Sequence, residues 1–158
     1  MKANHVAVSF CVCLLLTGCG GPGEDATVPR AEPAEASSIS INGHAVHFNA
    51  LLTNQLPTEV AQLYNIVRSN NRAMLNVSVI NEDSGGSVPA NVSVKTTNLT
   101  GQLKSVNMRR IDEEEAIYYI GETPVANRET LIFDITVTPE GVDEAAEVRF
   151  KRQFFTDN

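Results

Sequence analysis

Leu131-Ile132-Phe133-Asp134-Ile135-Thr136-Val137-Thr138 is the stretch on which the fold turns. Leu131, Phe133, Ile135 and Val137 fall on alternate positions, with Asp134, Thr136 and Thr138 between them. A helix would scatter these four side chains around its axis, whereas an extended chain sets them all on one face. They are also the β-branched and aromatic types that suit a pleated, half-buried surface. Pro139-Glu140-Gly141 supplies a turn. Beyond it, Val148, Phe150 and Phe154 oppose Glu147, Arg149, Lys151 and Gln153, a second strand with one core face and one wet face.

The same period of two runs back through the chain. In residues 74–80, Leu75, Val77 and Val79 face one way, and Asn76 and Ser78 the other. Residues 83–86 form a turn, and Ala90, Val92 and Val94 alternate with Asn91, Ser93 and Lys95. Gly101 bends the chain into what reads as one strand over residues 103–111, and the acidic run 112–115 turns it again. Ile117-Tyr118-Tyr119-Ile120 is apolar at successive positions, as in a strand covered on both faces. Near the start, Ile39 and Ile41 lead into Asn42-Gly43, a two-residue hairpin signal, and then into residues 44–52. Leu56-Pro57-Thr58-Glu59 opens a short helix, with Pro57 where its missing donor costs nothing and Asn65 ending it in the left-handed region. Strands joined by short turns, one helical turn and no strand-helix alternation predict an all-β fold. The expectation is an immunoglobulin-like antiparallel β-sandwich of seven to eight strands with one short helix, a closed barrel being the alternative.

Ahead of this domain the chain reads differently. Lys2 begins a leader with an apolar core over residues 6–16, which would rise only about 16 Å as a helix, half of a bilayer's hydrocarbon core. It reads as a secretory signal rather than a span. It closes on Leu16-Thr17-Gly18-Cys19, which resembles the lipobox of bacterial lipoproteins and implies lipidation of Cys19 followed by cleavage of residues 1–18. Gly20, where lipoproteins held in the inner membrane often carry Asp, favours the outer membrane by the same resemblance. Residues 19–38 then form an acidic, Gly/Pro/Ala-rich tether unable to build a core, with a span of roughly 25 Å as a loose coil. Residues 39–158 are the β domain. All three cysteines, Cys11, Cys13 and Cys19, precede it, so it contains no thiol for disulfide, metal or nucleophile chemistry. The formal net charge of −7 opposes nucleic acid and anionic lipid surfaces alike, which leaves membrane attachment to the covalent lipid.

Further motifs resemble a known family. These are His47-Phe48-Asn49-Ala50-Leu51, Pro57-Thr58-Glu59-Val60-Ala61 with Tyr64, Arg68-Ser69, Asn71-Arg72-Ala73 and Leu75-Asn76-Val77-Ser78-Val79. The C-terminal half adds Asn98-Leu99-Thr100-Gly101-Gln102, Ala116-Ile117-Tyr118-Tyr119-Ile120, Asn127, and residues 129–133 and 148–155. Together they resemble the proteobacterial DUF4426 domain, from about His44 to Asp157. Family members often have Gly after the helix; Asn65 fills the same backbone role here. The resemblance implies an exported, often lipid-anchored small domain, and no activity.

Chemistry finds little to work with. His44 and His47 sit three apart on an extended strand and so face opposite ways, which disfavours a shared metal. The expectation for His47 is a hydrogen bond to a neighbouring loop. Asp112-Glu113-Glu114-Glu115 lacks the spaced ligands and central Gly of a calcium loop. No nucleophile elbow, zinc-protease helix or phosphate-binding glycine loop is present. No enzyme activity, metal or cofactor is therefore expected. Tyr118 and Tyr119 are either a recognition pair or core, with core favoured for at least one. The candidate partner-binding residues are Arg68, Asn71 and Arg72, a polar cluster after the helix, together with His47 and Asn49. An anchoring role for the arginines competes with an internal salt bridge to Glu59 or Asp134. The expected whole is a noncatalytic, lipid-anchored periplasmic sandwich that binds another cell-envelope component, a protein by preference. A small-ligand or metal carrier is the alternative, with a minor hydrolase behind it.

Overall fold

A computed structural model describes residues 37–157. Cys19, the leader and nearly all of the tether lie outside them. Among the described residues nine strands form two antiparallel sheets: β1 (Ser38–Ile41), β2 (His44–Leu52), β3 (Arg72–Asn81), β4 (Ala90–Asn98), β5 (Leu103–Lys104), β6 (Arg109–Asp112), β7 (Ile117–Pro124), β8 (Glu129–Pro139) and β9 (Ala146–Phe154). One sheet has the order β1-β2-β3-β7-β6 and the other β5-β4-β8-β9. Setting aside β1, four strands pack on four in the ABED and C′CFG order of immunoglobulin-like sandwiches. The added β1 comes from the predicted hairpin, where Asn42 and Gly43 have φ of 47° and 74°, the pair of positive values that a type I′ turn demands.

The alternation that identified β8 becomes the core. Leu131, Phe133, Ile135 and Val137 are essentially inaccessible, as are Val46, Ala50, Val77 and Val79 across the interface. Phe150 on β9 stacks on Phe133 with ring centroids 4.9 Å apart and meets Phe48 of β2 at 5.1 Å, so β2 lies over β9. Tyr119 belongs to this core, and its hydroxyl accepts the Ala90 N–H at 2.7 Å, a bond that crosses from one sheet to the other.

Residues 103–111 are not one strand. β5 pairs with β4 in one sheet and β6 with β7 in the other, and residues 105–108 cross between them. The crossing packs on Gly121, where a Cβ would lie 2.6 Å from both Val106 Cγ1 and Met108 Sδ. That break is what raises the strand number to nine.

Between β2 and β3, a 3₁₀ turn (Thr53–Gln55) and α1 (Thr58–Leu63) double back over the sheet. Pro57 caps α1, and Asn65, at φ 53°, redirects the chain after it. α1 covers the outer face of the five-stranded sheet, where Ala61, Ile66, Met74 and Ile120 make a second, smaller apolar cluster. β7 is thus covered on both sides: Tyr119 faces the sandwich interior, while Tyr118 and Ile120 face α1.

Candidate functional site

A sheet face that does not pack on its partner sheet is ordinarily polar in an antiparallel sandwich. Here Leu51 of β2, Met74 of β3, Ile111 of β6 and Tyr118 and Ile120 of β7 all project from that outer face. α1 covers them in part, and between its Val60 and Tyr64 and the sheet a cleft of about 280 Å³ stays open. The floor turns polar at Asn49 and Asn76, neighbours in the β2–β3 register, and Glu113 stands at the edge. The Asn76 Oδ1 is buried with no hydrogen-bond partner among the described residues, an uncommon condition for a buried acceptor. Leu63 on α1 and Val67 just after it are 69% and 66% exposed, so the α1 segment presents further apolar surface to solvent.

Each candidate residue has a definite place. Arg68 donates to the Asn54 carbonyl at 2.7 Å and to Thr58 Oγ1 at 2.9 Å, joining the 3₁₀ turn to the start of α1. Arg72 faces Glu122 at 3.5 Å across β3 and β7. Asn71 accepts from the Ser69 hydroxyl, and its backbone carbonyl accepts the Val125 N–H at 2.9 Å. The internal tie foreseen for the arginines thus exists with other partners: neither Glu59 nor Asp134 takes part, and Asp134 instead holds Arg149 by two hydrogen bonds. His47 and Asn49 share the outer face of β2 and line a shallow depression with Ser37 and Asn76, adjoining the cleft. The imidazole that bonds a loop is that of His44, to the Asn42 carbonyl at 2.9 Å, and not that of His47. The structure therefore brings Asn49 into the cleft and His47 beside it, and spends the three residues of the 68–72 cluster largely on fastening the connection from α1 to β3.

The cleft's apolar residues were not among the candidates, although a signal existed. Ala50-Leu51-Leu52, Met74-Leu75 and Ile117-Tyr118-Tyr119-Ile120 each place large apolar side chains at successive positions, which only a strand covered on both faces requires. Electrostatics elsewhere are those of fastening. Burial pushes the Glu129 carboxyl up, but hydrogen bonds from Lys104, the Ala126 N–H and Asn98 outweigh it and hold the group below the usual carboxylate range. Arg149 does the same for Asp134. Among the described residues, no three His, Cys, Asp or Glu side chains cluster to hold a metal ion.

Comparison with known proteins gives a family and a fold. The family model described as "Domain of unknown function (DUF4426)" matches residues 39–157. A crystal structure of a DUF4426 family protein from Pseudomonas aeruginosa superposes with a TM-score of 0.66 at 31% identity, covering 77% of this chain and 95% of that one. No curated protein matches the chain. With its two-sheet sandwich and its helix-covered outer face, the chain belongs to the DUF4426 family.

Proposed function

We propose that the protein is a noncatalytic module of the bacterial envelope, lipid-anchored at Cys19 on the outer membrane with its sandwich in the periplasm, and that it binds another envelope protein. The observation that carries the binding reading is the apolar cleft beneath α1. At about 280 Å³ it falls just below the range of about 300–1,000 Å³ typical of ligand pockets, and it is open along one side. Such a site suits one or two side chains of a protein partner better than an enclosed small molecule. The exposed Leu63 and Val67 extend the apolar surface in the way a protein interface does. The lipobox-like Leu16-Thr17-Gly18-Cys19 and the acidic tether support the envelope address.

Site-directed photo-cross-linking tests this reading in cells producing the full-length chain. A photoreactive residue in place of Val60, in the α1 wall, is expected to give an adduct with one envelope protein. The same residue in place of Lys95, exposed on the other sheet, is expected to give none. Equal labelling from both positions, or none from either, defeats the reading. A small molecule retained in the purified protein by native mass spectrometry, with no protein adduct, moves the assignment to a ligand carrier.

A further inference from the structure

The four edge strands of this sandwich are unequal. β1 and β6 are four residues long and β5 is two, but β9 is nine, and its side away from β8 has no strand beside it among the described residues. A long open edge presents a row of unpaired N–H and C=O groups, which is a template for another strand.

The layer above makes this edge unusual. Because Phe48 of β2 lies over Phe150 of β9, β1, on the far side of β2 from β3, overhangs the open side of β9. The inward residues of β1, Ile39 and Ile41, are only half-buried, and no strand of the four-stranded sheet lies beneath them. Among the described residues a five-stranded layer thus faces a four-stranded one, with the open position next to β9.

Charge selects the occupant. In a chain of net charge −7, β9 carries Arg149, Lys151 and Arg152 against a single acid, Glu147. Arg149 is engaged by Asp134, whereas exposed Lys151 and Arg152 have no carboxylate within ion-pair distance among the described residues. Arg152 shares its strand face with Phe150 and Phe154, beside Leu51 and Leu52 of β2. A second copy pairing edge to edge would set these cations against one another, a repulsive arrangement. The tether of this chain is acidic but carries Pro29 and Pro33, which break a ladder.

We propose that the open edge of β9 receives an extended acidic segment of another protein as a fifth strand, its apolar residues under Ile39 and Ile41 beside Phe150 and Arg152, and its acids on the opposite face against Lys151. This rests on the reading of the domain as a protein-binding module but not on the α1 cleft, and its test needs no envelope.

The probe is a nine-residue peptide of alternating valine and glutamate, matched to the length of β9 and blocked at both ends, added to the purified full chain. Saturable binding by fluorescence anisotropy is expected, with slowed hydrogen exchange confined to β9 and β1. The variant Lys151→Glu should weaken binding by about tenfold or more and admit the valine-lysine peptide, with the thermal midpoint retained. Should that variant fold poorly, Lys151→Gln gives the same readout at lower amplitude. Backbone methylation of the peptide at alternate residues should abolish binding. The proposal is overturned by absence of binding, by protection elsewhere, or by indifference to the charge reversal. It is equally overturned if binding appears only after residues 20–36 are removed, which makes the tether the occupant. Sedimentation showing a dimer that the peptide cannot open gives the edge to a second copy and overturns it too.

Discussion

Glu129 joins three segments through one carboxylate. Its Oε1 accepts Lys104 Nζ at 2.8 Å and Asn98 Nδ2 at 3.1 Å, and its Oε2 accepts the Ala126 N–H at 2.8 Å, tying β5, β4 and the turn before β8. The Glu129 and Lys104 side chains are only 12% and 15% exposed, so solvent screens the pair weakly. The folded carboxyl is lowered from an ordinary value of 4.5, so its contribution to stability is complete above pH 4.5 and is lost as pH falls through the lower folded value. Glu129→Gln should cost about 1.5–3 kcal/mol at pH 7, the range for hydrogen bonds to charged groups. It should also flatten the fall in stability below pH 4.5, leaving the share due to Asp134 and Arg149. Urea melts at a series of pH values check this, and parallel wild-type and variant curves would refute it. None of this was legible in the sequence. Lys104 and Glu129 are far apart in the chain, and no local pattern distinguishes an acid that meets a lysine across β4 from one that meets water. His47 and Asn49 were legible as outward-facing, because strand parity assigns a face, but parity is silent on what packs above that face.

Parity served the long strands well for a related reason: β2, β3, β4, β8 and β9 each lie against the core along one face, so burial imprints the alternation directly. It failed where the chain changes sheets between two short strands, β5 and β6. Across residues 103–111 the larger apolar residues Leu103, Val106, Met108 and Ile111 change phase twice, before Val106 and after Met108, on either side of the crossing between β5 and β6. The residue that registers the crossing is Gly121, opposite Leu75 in the β3–β7 ladder, whose missing side chain leaves room for Val106 and Met108. A methyl group there meets two atoms at 2.6 Å and the Asn107 carbonyl at 3.3 Å. Met108 can swing its thioether aside, but Val106 is branched and the carbonyl belongs to the backbone. Gly121→Ala should therefore destabilise the domain by about 1–3 kcal/mol, the usual cost of overpacking. Pairing it with Val106→Ala should recover part of the loss, a non-additivity that a double-mutant cycle in urea detects. Additive effects would mean that the crossing segment does not bear on Gly121.

For the whole molecule, the bearing question is what the sandwich needs from the residues ahead of it. Among the described residues, the core that runs from Val46 to Phe154 is closed by side chains of residues 39–154, and the family match covers nearly the same span, 39–157. Neither contains a cysteine. The domain's stability should then be indifferent to Cys19, while its address should depend on that residue entirely. With a net charge of −7 the chain as a whole is repelled by anionic headgroups, which favours attachment through the proposed acyl chains, each gaining about 0.8 kcal/mol per buried methylene. Cys19→Ser, made with residues 1–18 replaced by a secretory leader that is cleaved without lipidation, should shift the protein from the membrane fraction to the soluble periplasmic fraction, and intact-mass measurement should show the acyl mass gone. The thermal midpoint of the released protein should match that of the detergent-extracted wild type. Peptide capture at the β9 edge should survive in this variant, since Lys151, Arg152, Ile39 and Ile41 are untouched. A Cys19→Ser protein that stays with the membrane would show that the sandwich itself holds a membrane partner, and the anchor would then only reinforce a contact made by the domain.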